Sequence, residues 1–239
     1  MVLRVRITKG EEARFISHLG FMRAFERAIR RAEIPVAYSE GYHPLPKFSF
    51  ATALGVGISS EAEYVDIQID PDGPKISVEE AFDALDRNMP PGIAVVAACW
   101  YLGKPALASL IEYASYRASG CGALHEAAEE FMAMDASLGT ITTKSGEKEE
   151  DIRKLVYSIS MADDESLEFI CACGGRAHLR PDNLLVHLSS IAGVECDVKR
   201  SRIHRTGLFV VEDGELVSPM DYKCKDLVIA KGWMPRELS

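Results

Sequence analysis

The first hundred residues change hydrophobic period repeatedly, and that succession restricts the fold more than any other feature. Leu3, Val5 and Ile7 alternate with Arg4 and Arg6, the period of a strand with one buried face. From Phe15 to Ala32 the spacing becomes helical. Leu19, Met22, Phe25, Ile29 and Ala32 predict an apolar stripe, with Arg23, Arg27, Arg30 and Arg31 on a separate face. Ser17 precedes this run as an N-cap, because its hydroxyl accepts from the open amides of a first turn. Pro35 ends the helix. A Gly- and Pro-rich loop covers Tyr38 to Pro46. Lys47 to Ala53 and Glu63 to Ile69 read as strands around Gly55-Val56-Gly57, Val78 to Asn88 as a helix, and Ile93 to Trp100 as a buried strand. The order β-α-β-β-α-β is that of the ferredoxin-like unit.

After Lys104-Pro105 the order partly repeats, with no residue-level repeat between the halves, so a duplication rests on element order alone. Leu110 to Ala118 predicts a strand, Leu124 to Ala136 a helix, Thr140 to Thr143 a short strand, and Gly146 to Glu150 a charged surface loop. Arg153 to Met161 and Leu167 to Cys173 predict a hairpin, Asn183 to Ile191 a helix, Val194 to Arg205 a strand, and Gly207 to Val217 a further hairpin. The expected fold is α+β: two tandem ferredoxin-like (βαββαβ) halves with antiparallel sheets. Residues 1–104 form the first half, carrying the basic helix and the loop Gly41-Tyr42-His43-Pro44-Leu45-Pro46-Lys47. Residues 105–221 form the second, with its terminal hairpin, and 222–239 an irregular tail.

Charge narrows the functional classes. A net charge of −9 argues against a protein that coats nucleic acid over its whole surface. The distribution says more: residues 1–50 hold nine Lys/Arg against five Asp/Glu, and 171–205 hold six against three, whereas 121–170 hold four against twelve. Five of the six histidines fall in the two basic stretches, so a fold that joins them makes one basic, His-containing face. No apolar run reaches the ~18–20 residues of a membrane span. The opening residues lack a signal-peptide core, so a cytoplasmic location without membrane attachment is expected. Six cysteines in that setting read as reduced thiols.

His18 stands at the start of the basic helix, where it fits either a general base acting on a ribose hydroxyl or a capping, half-buried histidine. His43 and Lys47 flank two prolines that stiffen their loop. Lys47 and Arg14 suit the neutralisation of phosphate charge, and Arg23, Arg27, Arg30 and Arg31 form either a phosphate-binding stripe or a solvated face. Arg200, Arg202 and Arg205 are the matching candidates in the second basic stretch. Phe21, Phe25, Tyr42 and Phe48 are candidates to stack bases, although the first two, at helical spacing, also suit a core. Cys171 and Cys173, on one face of a strand, form with Cys196 and His178 or His204 a weak candidate zinc set, or else pack as small apolar residues. No Cys-x3-Cys-x2-Cys run, Walker loop or nucleophile elbow occurs, so no cofactor is expected.

The segments Arg14-Phe-Ile-Ser-His-Leu-Gly-Phe-Met-Arg23, Phe25-Glu-Arg-Ala-Ile-Arg-Arg-Ala32 and Ser39 to Phe50 resemble the radical-SAM-linked protein family. So do Glu63-Tyr-Val-Asp66, Val198-Lys-Arg200, His204-Arg-Thr-Gly-Leu-Phe209 and Ser218-Pro219. The resemblance implies a partner, a B12-binding radical SAM enzyme encoded beside or fused to such chains, and no catalytic residues. At the level of fold, the chain is more distantly similar to Cas6-type CRISPR RNA-processing proteins, though it lacks a glycine-rich loop near the end. That likeness implies RNA held between two ferredoxin-like halves, and in several cases cleavage by a histidine. The expected function is an RNA-binding accessory that presents RNA, such as tRNA or rRNA, to a radical SAM enzyme. The alternatives are a protein-only docking module for that enzyme and a metal-independent endoribonuclease using His18 or His43.

Overall fold

A computed structural model describes residues 1–143, 146–163, 165–194 and 201–233. In chain order the elements are β1 (Val2–Lys9), α1 (His18–Arg31), β2 (Phe48–Phe50), β3 (Ser59–Gln68), α2 (Val78–Arg87), β4 (Ile93–Tyr101), β5 (Ile111–Ser119) and α3 (His125–Ala133). There follow β6 (Leu138–Thr143), β7 (Gly146–Asp151), β8 (Val156–Asp163), β9 (Ser166–Ala172), α4 (Pro181–Ala192), β10 (Arg202–Glu212), β11 (Glu215–Val217) and β12 (Cys224–Ile229). The fold is mixed α+β, and every strand pair with a described register is antiparallel. No described helix is long and apolar enough to cross a membrane.

The chain divides into two compact units, Met1–Ile111 with Phe209 onward, and Glu112–Leu208. In the first unit, β1 lies between β3 and β4, with Val5 opposite Val65 on one side and Ala98 on the other. β2 pairs with β3, and β12 pairs with the far edge of β4. Leu3, Val5, Ile7, Val65, Ile67 and Trp100 bury one sheet face against Phe21, Phe25 and Ile29 of α1 and Val78, Phe82 and Leu85 of α2. Ser17 caps α1 by accepting from the Gly20 amide at 3.2 Å, as its position predicts. The buried stripe of that helix is rotated from the expected one. Phe21, Ala24, Phe25, Ala28 and Ile29 face the core, whereas Leu19 is exposed.

The other face of β1 is also buried, which alternation alone does not predict. Arg4 is 0% exposed and Arg6 is buried beside it. The returning chain covers them: Arg4 Nη1 donates to the Pro219 carbonyl at 2.9 Å, and the Arg6 guanidinium lies 4.4 Å from the centre of a Trp233 ring. This return also corrects two expectations. Residues from Tyr222 onward include β12 rather than only irregular chain, and two cysteines are not free thiols. Cys99 on β4 and Cys224 on β12 form a disulfide, with Cα atoms 5.8 Å apart.

In the second unit, β9 pairs with β5 and β8. The run expected as a charged loop instead forms β7, a hairpin partner of β6 from Leu138–Asp151 to Thr143–Gly146. Its Glu147, Lys148 and Glu149 stay exposed, so polarity marks a solvated strand here. α3 and α4 pack together, and Phe131, Leu184, Leu185 and Leu188 are buried. β10 begins at Arg202 and runs through the division at residues 208 and 209. Part of the strand expected from Val194 to Arg205 lies outside the described residues.

Candidate nucleic-acid interface

α1 buries one face, and the positions that remain repeat every fourth residue. Arg23, Arg27 and Arg31 are therefore stacked on successive turns of the open face, and all three are exposed. None makes an ion pair among the described residues. Arg30, also exposed, pairs with Glu26 one turn back at 3.0 Å and places its guanidinium 5.8 Å from the centre of the Tyr38 ring.

That contact joins the helix to the loop expected to carry ligand-binding residues. Tyr38 bridges Pro46, and the Lys47 amide donates to the Ala37 carbonyl at 2.7 Å, which closes the base of the loop. Inside it, the Ser39 amide donates to the Leu45 carbonyl at 2.9 Å and the Leu45 amide to the Ser39 hydroxyl at 3.0 Å. Gly41 turns the tip with φ at +120°, a backbone conformation that disfavours any side chain. The pinned loop displays Tyr42, 95% exposed, with the His43 ring edge-on to it at 5.1 Å. An exposed aromatic pair on a fixed backbone presents a π-face to a base with little ordering to lose.

Other candidates fall elsewhere. Arg14 lies before α1 and pairs with Glu11 at 2.8 Å, at the end of the helix opposite Arg30 and Arg31. His18 packs half-buried with its ring edge-on to Phe50 at 5.5 Å. Phe21 and Phe25 are core residues, and Phe48 stacks within the same aromatic group, so of the four proposed base stackers only Tyr42 is open. In the second unit Arg202 is exposed, but Arg205 is buried and donates to the Tyr116 hydroxyl at 3.0 Å. It is a core group there and not a phosphate ligand. Arg200 lies outside the described residues.

The cysteine pair on β9 and just after it is buried as well. Cys171 donates to the Leu179 carbonyl at 3.5 Å, and burial pushes its thiol far above the ordinary range, reinforced by Cys173 and partly opposed by Arg205. Among the described residues no group of three or more His, Cys, Asp or Glu is placed to hold a metal, and Cys196 lies outside them.

One concavity of the first unit has no counterpart among the sequence expectations. A pocket of about 350 Å³ is lined by Lys47, Ser49, Asp66, Tyr101 and Lys104, among others. Lys47, at the end of the loop, is part of that lining. Arg4 neutralises Asp66 with two parallel bonds, Nε to Oδ1 at 2.7 Å and Nη2 to Oδ2 at 3.0 Å. The Tyr101 ring lies over Arg4, 3.7 Å from guanidinium to ring centre, and its hydroxyl donates to the Pro105 carbonyl at 3.0 Å. Burial pushes the Tyr101 hydroxyl up, against the opposing pull of Arg4. Gly103 makes room for that phenol, since a Cβ there would meet Tyr101 Oη at 2.1 Å. These residues come from four separate segments, and no local spacing announces them.

Residues 3–181 match the family described as "Uncharacterized protein conserved in bacteria (DUF2344)". The chain belongs to that family. The DUF2344 match takes in α1, the 39–47 loop and every residue lining the pocket except Val2, and it ends at the first residue of α4. Arg202 and Arg205 lie beyond it. No curated protein matches the sequence.

Proposed function

We propose that this chain is a cytoplasmic RNA-binding accessory protein that presents RNA to, or docks on, a radical SAM enzyme. The observation that carries the RNA reading is the row Arg23, Arg27, Arg31 on α1, exposed and without an ion pair among the described residues, joined through Arg30 and Tyr38 to the Tyr42–His43 loop tip. Phosphate-binding cations beside an open aromatic ring are what a single strand requires: charge tracks the backbone and the ring stacks a base. The partner rests on the resemblance of residues 14–50 and 198–219 to the radical-SAM-linked family. The tandem ferredoxin-like reading belongs to the same proposal. It is supported by the β4-β1-β3-β2 order in the first unit and by the succession β5, α3, β8, β9, α4, β10 once the β6–β7 hairpin between α3 and β8 is set aside as an insertion. Cleavage by His18 finds no support in a ring packed against Phe50.

The test is fluorescence anisotropy with single-stranded RNA across a salt series, comparing the native chain with Arg23→Gln/Arg27→Gln/Arg31→Gln. Native binding is expected to weaken steeply with salt, and the variant to flatten the log–log slope by about 2, near 0.7 for each phosphate that is no longer neutralised. Cross-linking of co-purified RNA then names the RNA class. Binding that is absent, or insensitive to salt and to the triple change, overturns the RNA reading and leaves the protein-only docking module, read by co-purification with a radical SAM enzyme after nuclease treatment.

A further inference from the structure

We infer that the pocket between β2, β3 and the 101–106 segment is a binding site for a phosphate monoester of up to mononucleotide size. Its charge decides the ligand class. The carboxylate in its wall, Asp66, is consumed by the two-bond pair with the fully buried Arg4. Lys47 and Lys104 both line the pocket and make no ion pair among the described residues, so in an acidic protein this lining brings together two lysines without a bonded carboxylate. Two point charges with freely rotating donors suit the three oxygens of a terminal phosphate. The volume, about 350 Å³, lies at the lower end of the range for small-molecule sites. Exposed Ser49 and Gln68 add polar groups for the remainder of the ligand. The wall is fixed in advance: Tyr101 is held by Arg4 beneath it and by the Pro105 carbonyl, and Gly103 is packed against its hydroxyl.

The same chemistry is offered by a free nucleotide and by the 5′ end of an RNA. The inference stands on the pocket alone, and only its RNA arm depends on the reading of α1. Calorimetric titration of the full chain with adenosine 5′-monophosphate is expected to show binding, and adenosine none. Lys104→Gln, a change at an exposed position, is expected to weaken the nucleotide at least about tenfold, and Lys47→Gln to do the same. In parallel, a 5′-phosphorylated oligonucleotide is compared with its 5′-hydroxyl form. A gain from the 5′-phosphate that Lys104→Gln abolishes, while Arg23→Gln/Arg27→Gln/Arg31→Gln weakens both forms alike, assigns the site to an RNA end. Nucleotide binding without that gain assigns it to a free metabolite. If neither the nucleotide nor inorganic phosphate binds and the 5′-phosphate adds nothing, or if binding survives both lysine changes, the inference is overturned. Loss of RNA binding with nucleotide binding intact removes the α1 reading and leaves the pocket standing.

Discussion

β1 and α1 are neighbours in sequence, the first carries two arginines and the second four, and the two use them in opposite ways. Arg4 and Arg6 lie under the returning chain, with their donors taken by Asp66, the Pro219 carbonyl and the Glu61 carbonyl, and with aromatic rings over their planes. Arg23, Arg27 and Arg31 face water. A positive charge is therefore informative about ligands only after its environment is known. A guanidinium that is buried and bonded to the chain holds the fold, and one that is solvated on a rigid helix is available to a phosphate.

The sharpest way to break this contrast is to strand the buried charge. Asp66→Ala leaves Arg4 desolvated without its carboxylate and is expected to cost about 3–5 kcal/mol in urea denaturation. The double change Arg4→Met/Asp66→Leu removes both charges and is expected to recover most of that loss. A double variant no more stable than Asp66→Ala means that Arg4 matters through its shape and its Pro219 bond instead.

Aromatic residues offer the second test. Tyr42→Ala is expected to leave the denaturation midpoint unchanged and to weaken single-stranded RNA by about 1–3 kcal/mol, the range for one stacked base. An unchanged affinity removes the loop tip from the interface.

Histidines extend the contrast to the second unit. His43 is exposed, whereas His187 is packed edge-on to Phe131 at 5.7 Å with its Nε2 2.8 Å from the Ser137 hydroxyl. Burial holds His187 below the ordinary value of 6.5, and His178 is held down by burial and then by Arg205 and Arg180. In the unfolded chain both histidines take a proton first, so their contribution to stability is complete above about 6.5 and is lost as the pH drops below it. His187→Asn is expected to shallow that decline, leaving the share due to His178. An unchanged pH dependence shows that His187 is as easily protonated folded as unfolded.

The smallest effect is expected at the one arginine of the α1 face that has a partner on its own helix. Glu26→Gln breaks the exposed Arg30 pair, a loss of about 0.3–0.5 kcal/mol. It also frees Arg30, so RNA affinity is expected to rise slightly in anisotropy at low salt. An unchanged affinity instead places Arg30 outside the interface.

Local features of the sequence are legible where one element settles them. Ser17 as the cap, α1 itself, the β8–β9 hairpin and α4 follow from short-range spacing. The buried face of α1 departs from its apolar spacing because Ala24 and Ala28, small enough to let the helix approach the sheet, carry little weight in an apolar count, while Leu19 and Met22 carry much. The burial of Arg4 and Arg6 depends on Pro219 and Trp233, more than two hundred residues away, and periodicity within a strand holds no trace of such a cover. Arg205 misleads for the same reason, since its partner Tyr116 lies 89 residues back. The pocket escapes a sequence reading because Lys104-Pro105 has the form of a linker, and only the packed β4 and β2 turn that linker into a wall.

The first unit is discontinuous in the chain, and this sets an order on its synthesis. When residues 1–111 leave the ribosome, the outer edge of β4 has no partner and Arg4 lacks one of its acceptors. Both wait until the whole second unit, Glu112–Leu208, has been made and the chain from Phe209 has followed. A fragment cut at residue 111 therefore has an open strand edge and an Arg4 that keeps Asp66 but lacks the Pro219 carbonyl, and an unpaired edge of that kind is a template for pairing with another chain.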